Sequence, residues 1–329
     1  MYTIATLHRM FQLRKHLFFQ SVKAGTKKDG FNFSRCDLLL LSAFVVYVSC
    51  FSTHLDTVFS SAYLSEDYSS VTHWGTRGSL ESQFDKPHGV AVDSSGNVYV
   101  ADTGNDRIQK FSGNGTFISK WGSLCDLSTN IGCNGKPTSL LDRGAGQFLN
   151  PTGLAVDSTS GNVYVVDYGN DRIQKFTSTG KFLKQWGFEG QLDGYFTAPT
   201  SVAVDAISGN VYVVDTGNNR IQEFTSAGLF VAKWGSSGSA DGLFVGPSGV
   251  AVDSNSGKVY IADYGNNRIQ VFSRNGIFIT KWGTYGFGDF QFAAPRGVAV
   301  DSSSGNVFVT DILQNRIDLF ALASKFSFK

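Results

Sequence analysis

Histidine is scarce in this chain of 329 residues. Five are present, and beyond residue 70 only His73 and His88 remain. A zinc site of three histidines cannot be assembled there. Cysteine is equally sparse, with four in all and only Cys125 and Cys133 beyond residue 70. A marked excess of charge of either sign is missing too. The net charge is +1, and from Trp74 onward 21 Lys and Arg face 22 Asp and Glu. A nucleic-acid binder carries a basic stripe, so nucleic acid is not the expected partner. No uncharged apolar run reaches the roughly 20 residues of a membrane span. No Gly-x-Ser-x-Gly elbow, phosphate-binding loop or His-Glu-x-x-His motif occurs. Catalytic residues are therefore not assigned, and no cofactor or metal is expected.

A repeat fills the space left by these absences. Its clearest copy runs from Phe196 to Gly235. A short apolar run ends in Asp93, Asp157, Asp205, Asp253 and Asp301, at spacings of 64, 48, 48 and 48 residues. Alternating runs follow from Asn97, Asn162, Asn210, Lys258 and Asn306. Arg-Ile runs start at Arg107, Arg172, Arg220, Arg268 and Arg316. Runs ending in Trp-Gly start at Phe117, Phe182, Phe230 and Phe278. Each run is short, rich in Val, Ile, Phe and Tyr, and bounded by Gly, Ser, Asn or Asp, which is strand-and-turn chemistry. The Gly-Asn pairs, such as Gly217 and Asn218, are expected to supply the positive φ of tight hairpins. One repeat is then a four-stranded antiparallel meander. A fixed period of this length marks a repeat architecture, and radial packing around a channel buries both faces of each sheet.

These residues resemble the NHL repeat, a β-propeller blade. Its Pro-x-Gly-Val-Ala-Val-Asp, Gly-Asn-Val-Tyr-Val-Ala-Asp, Asn-Arg-Ile-Gln and Phe-x-x-x-Trp-Gly steps are matched over Phe84–Phe320. The resemblance implies an all-β propeller of four-stranded NHL blades, with five complete repeats and a degenerate sixth as the alternative. The ubiquitin-ligase members of the family carry zinc-binding RING and B-box modules, whose Cys/His spacing this chain lacks.

Ahead of the propeller, residues 1–37 are basic and Leu38–Phe51 is an uncharged apolar segment of fourteen residues. That layout reads as a cleaved export signal, an uncleaved membrane anchor or a buried helix. The expected organisation is a basic and signal or anchor segment over 1–52, a linker over 53–70 and the propeller over 71–329. The expected location is exported, either secreted or anchored at the cell envelope, with membrane contact through residues 38–51 if uncleaved. A ring must hide its edge strands. Val71–Trp74 is expected to close it as the outer strand beside Arg316–Phe320. In the longer connection Ser123–Gln147, Cys125 and Cys133 form a candidate disulfide if the chain is exported, and are free thiols if it is cytoplasmic.

Two sets of residues are expected to share the top face of the ring. His88, Thr152, Thr200, Ser248 and Arg296 precede the inner strands. Thr103, Tyr168, Thr216, Tyr264 and Ile312 follow the second strands. The frame is constant while these positions vary, which is how a scaffold presents a binding surface. The candidate ligand-binding set is His88, Thr152, Thr200, Ser248, Arg296, Tyr168 and Tyr264.

The pairs Asp102–Arg107, Asp167–Arg172, Asp215–Arg220, Asp263–Arg268 and Asp311–Arg316 recur in every copy. Catalysis needs one site, so repeated pairs read as blade cement. Asn105, Asn170, Asn218, Asn266 and Asn315 are assigned to the same turn, and the tryptophans to packing between blades. The reading is a non-enzymatic NHL propeller, expected as a monomer, that binds a protein, peptide or glycan through its top face. The alternative is a lyase or hydrolase with a metal at the channel mouth.

Overall fold

The computed structural model describes residues 73–134 and 144–321. These belong to one compact unit, Ser70–Lys329. The signal or anchor segment, the linker and the last eight residues lie outside the described residues. Two short strands, β1 (Thr76–Arg77) and β2 (Gln83–Phe84), lead in. Blade one is β3 (Pro87–Val92), β4 (Val98–Asp102), β5 (Arg107–Phe111) and β6 (Phe117–Trp121). Blade two is β7 (Pro151–Val156), β8 (Val163–Asp167), β9 (Arg172–Phe176) and β10 (Phe182–Trp186). Blade three is β11 (Pro199–Val204), β12 (Val211–Asp215), β13 (Arg220–Phe224) and β14 (Phe230–Trp234). Blade four is β15 (Pro247–Asp253), β16 (Lys258–Asp263), β17 (Arg268–Ser273) and β18 (Phe278–Trp282). After the short β19 (Thr284–Tyr285) and β20 (Gln291–Phe292), blade five has β21 (Pro295–Val300), β22 (Val307–Asp311) and β23 (Arg316–Phe320). Within each blade the order is sequential and antiparallel.

This is a β-propeller, and its core lies between blades. Tyr164, Val166, Ile173 and Trp186 of blade two pack on Val202, Val211, Val213 and Phe224 of blade three. Each outer-strand indole covers the next blade: Trp121 lies 5.9 Å from Phe176 and Trp186 lies 5.9 Å from Phe224. Each inner strand begins with a proline, a position where no ladder donor is lost.

The turn chemistry differs from expectation by one residue. Positive φ falls on Asp106, Asp171, Asn219, Asn267 and Asn315, between 49° and 52°. Short polar side chains tolerate that region. Gly217 is required for another reason: a Cβ there would sit 2.7 Å from the Thr197 carbonyl oxygen.

The junction between blades five and one is unlike the others. Val90 and Val92 on β3 are 65% and 58% exposed, whereas the counterparts of Val90, Leu154 and Val202, are 7% and 4% exposed and those of Val92, Val156 and Val204, are partly buried. On β23 of blade five, Ile317 and Leu319 are likewise 68% and 56% exposed. Inner strands of other successive blades pack closely side by side, whereas β21 and β3 approach each other less closely. Residues 71 and 72 lie outside the described residues. Among the described residues the one strand paired with β23 is β22, and the expected closing strand Val71–Trp74 lies partly outside those residues. Trp74 packs on Phe111 of blade one at 5.9 Å, the geometry that the outer-strand tryptophan of a preceding blade adopts.

Candidate functional site

The recurring Asp–Arg pairs fix the frame. In blade three, Arg220 Nε donates to Asp215 Oδ2 at 2.6 Å. Asn218 Nδ2 donates to both carboxylate oxygens, and the Thr197 N–H donates to Oδ1. The other guanidinium nitrogens hold the carbonyls of Gln191, Leu192 and Tyr195 in the preceding loop. Each pair thus nails an inter-blade loop to a blade. In blade two, burial pushes the Asp167 carboxyl above its usual value against the pull of Arg172.

Two assignments need correction. In blade five, Gln314 rather than Asn315 binds the aspartate, with Nε2 donating to Asp311 Oδ2 at 2.9 Å, because Asn315 holds the left-handed position. Arg316 pairs with Asp318, not Asp311. The reason is visible two residues on. Gln109, Gln174, Gln222 and Gln270 each donate to the blade's buried aspartate, and blade five has Asp318 there instead. The role of these glutamines was missed from sequence, although the constant Arg-Ile-Gln run was the signal for it.

The top face gathers both expected sets. Thr200 and Thr216 hydroxyls meet at 2.7 Å. Several mouth hydroxyls are already engaged. Thr152 Oγ1 donates to the Thr200 carbonyl, Thr200 Oγ1 to the Ser248 carbonyl, and Ser248 Oγ to the Arg296 carbonyl. Thr103 and Thr216 donate to the carbonyls of Pro151 and Pro247. A circumferential series of hydroxyl-to-carbonyl bonds therefore links blades two to five. Thr152, Thr200 and Ser248 join neighbouring blades rather than presenting free hydroxyls.

Series members without a hydroxyl stand at its ends. His88 on β3 and Arg296 on β21 are both exposed, and Arg296 Nη2 lies 3.2 Å from His88 Nε2. Partial desolvation of the ring lowers the His88 pKa, and the Arg296 charge lowers it further. The inner strands enclose a cavity of about 220 Å³ lined by residues that include His88, Gly153, Thr200, Ser248, Arg296 and Val298. Tyr168 and Tyr264 stand away from it on the second-strand turns, 39% and 41% exposed.

The insertion is tied down locally. Cys125 and Cys133 are bonded, with Cα atoms 4.4 Å apart. Asn170 Nδ2 donates to the Cys125 carbonyl, and the Leu127 N–H donates back to Asn170 Oδ1. The insertion also gives Arg172 the carbonyls of Gly144 and Gln147. Among the described residues no three His, Cys, Asp or Glu side chains group as metal ligands. Among the same residues, no helix is long and apolar enough to cross a membrane.

The NHL repeat family model matches residues 84–111, 148–176, 196–224 and 244–272. This chain carries NHL repeats. The fifth blade of the NHL propeller falls outside the matched segments, and it is the blade in which Gln314 and Asp318 depart from the pattern. Peptidyl-glycine alpha-amidating monooxygenase B of Xenopus laevis is 41% identical over 111 residues, 33% of this chain and 11% of that protein. NHL repeat-containing protein 3 of Homo sapiens is 30% identical over 154 residues, 38% of this chain and 44% of that protein. The chain thus spans less than half of either relative. Among solved structures, virginiamycin B lyase from Staphylococcus aureus is similar at 16% identity and a TM-score of 0.48, over 73% of this chain and 71% of that one. Likeness of that degree carries no functional argument.

Proposed function

We propose that this NHL propeller is a binding module without chemistry of its own, and that it holds a protein, peptide or glycan partner through its top face. One observation carries the reading. Tyr168 and Tyr264 stand exposed on turns whose flanking strands are buried at all but one position or throughout. Tyrosine gives rigid amphipathic contact area at low entropic cost, which suits a binding surface. The Cys125–Cys133 bond and the basic-then-apolar layout of residues 1–51 support an exported location, secreted or envelope-anchored.

The test is capture of partners from extracellular or envelope material by the full chain and by a Tyr168→Ala/Tyr264→Ala double variant. Capture that disappears in the double variant, with circular dichroism unchanged, supports the reading. Capture indifferent to both tyrosines overturns it. So does stoichiometric metal accompanied by turnover, including the amidating activity named in the first relative.

A further inference from the structure

Arg296 stands apart from every other arginine among the described residues. Arg77, Arg107, Arg172, Arg220, Arg268, Arg274 and Arg316 each have a carboxylate within ion-pair distance. Arg296 has none. Its hydrogen-bond partner is the His88 ring at 3.2 Å. A guanidinium carries five N–H donors and no acceptor. His88 Nε2 must therefore accept, so the ring is neutral with its proton on Nδ1. The remaining guanidinium N–H groups have no acceptor among the described residues, and no acidic side chain lines the cavity beside them. Elsewhere among the described residues each guanidinium has a carboxylate within ion-pair distance, and here one is left open at the end of a channel.

The chemistry that completes such a site is a carboxylate. The planar fork of arginine matches one in a two-point contact. Phosphate sites gather several cations or a nest of backbone N–H groups, whereas this mouth offers one guanidinium. The cavity of about 220 Å³ is below the roughly 300–1,000 Å³ of sites for whole small molecules. It admits a single residue end. Tyr168 and Tyr264 lie on the same face and are exposed, suited to the rest of an extended chain.

We infer that the channel mouth binds a peptide carboxylate, held by the Arg296 guanidinium with His88 beside it. This rests on the partner-binding reading above and names the chemistry of its anchor point. A terminal carboxylate and an acidic side chain share that chemistry.

The consequence can be read at His88. Arg296 is the charged group acting on the ring, and a bound carboxylate offsets that charge. The full chain would be titrated with N-acetyl-phenylalanine and with the α-amide of N-acetyl-glutamate. These represent the terminal and side-chain sources. N-acetyl-phenylalaninamide and inorganic phosphate serve as controls. The readout is the His88 ring signal in NMR, assigned by its loss in His88→Gln. The expected result is saturable binding of at least one carboxylate with an upward move of the His88 titration. Arg296→Gln should weaken it about tenfold to a hundredfold. Arg296→Lys should recover part of the loss, because it restores charge without the fork. Arg296 is exposed, so these variants should keep the fold, which circular dichroism verifies. Binding of the amide or of phosphate as strongly as the carboxylates overturns the inference, as does unchanged binding in Arg296→Gln. If both carboxylates fail while capture still depends on the tyrosines, the inference falls and the partner-binding reading stands. If the carboxylates bind while capture ignores the tyrosines, only the broader reading falls.

Discussion

Arg220 Nε lies 2.6 Å from Asp215 Oδ2, and the Asp215 side chain is wholly enclosed. A buried carboxylate is tolerated because every lone pair is used: the guanidinium, Asn218, Gln222 and the Thr197 N–H all donate to it. Asp215→Ala would leave the buried guanidinium with only the half-exposed Asp193, 3.9 Å away, as counter-charge. The expected loss is about 3–5 kcal/mol of unfolding free energy, read from urea denaturation. Arg220→Met should cost a similar amount alone. The double variant should cost clearly less than both together, because each single change strands the other's charge.

Blade five offers the reverse experiment. There Arg316 turns to Asp318 because the glutamine of the other blades is missing. Asp318→Gln would restore the donor to Asp311 and release Arg316 to pair with that carboxylate. The expected gain is about 0.5–1.5 kcal/mol, seen as a higher thermal midpoint. No gain, or a loss, would show that the Asp318 pair already does the same work.

The blade was legible because its signals are local. Apolar alternation, bounding Gly and Asn, and a 48-residue spacing fix strands and turns without reference to anything distant. The Asp–Arg cement was legible for the same reason, since repetition at one spacing argues for structure. What stayed hidden depends on neighbours in space. That Thr152, Thr200 and Ser248 bond to adjoining carbonyls follows from how closely inner strands approach. A Cβ at Gly249 would lie 2.4 Å from the Arg296 carbonyl oxygen, and no run of letters states that closeness. The exposed faces at Val90 and Ile317 were equally invisible, because a strand pattern does not say whether a neighbouring blade is there.

His88 gives a pH prediction whose sign is set by its folded pKa. That value lies below 6.5, through burial and then the Arg296 charge. The folded protein therefore binds fewer protons at this ring than the unfolded chain does. The stability it contributes is complete above pH 6.5 and is lost as the pH falls through that value toward the folded one. The thermal midpoint should drop on acidification from about pH 7 to about pH 5. In His88→Gln that drop should be shallower. Equal slopes in the two proteins would show that His88 does not sense the folded state.

The disulfide closes a small loop, with eight residues of sequence separation between Cys125 and Cys133. By chain entropy a loop of that size stabilises by about 2–3 kcal/mol. The effect should stay local. The Cys125 carbonyl and the Leu127 N–H are held by Asn170, whose own anchor is the buried Asp167, so blade two keeps its grip on the start of the loop. Cys133→Ser should therefore speed proteolysis within residues 126–134 while lowering the midpoint of the propeller by only a few degrees. Broad loss of near-ultraviolet circular dichroism would contradict this, because it would mean that the bond organises the Arg172 carbonyl contacts and not merely the loop beside them.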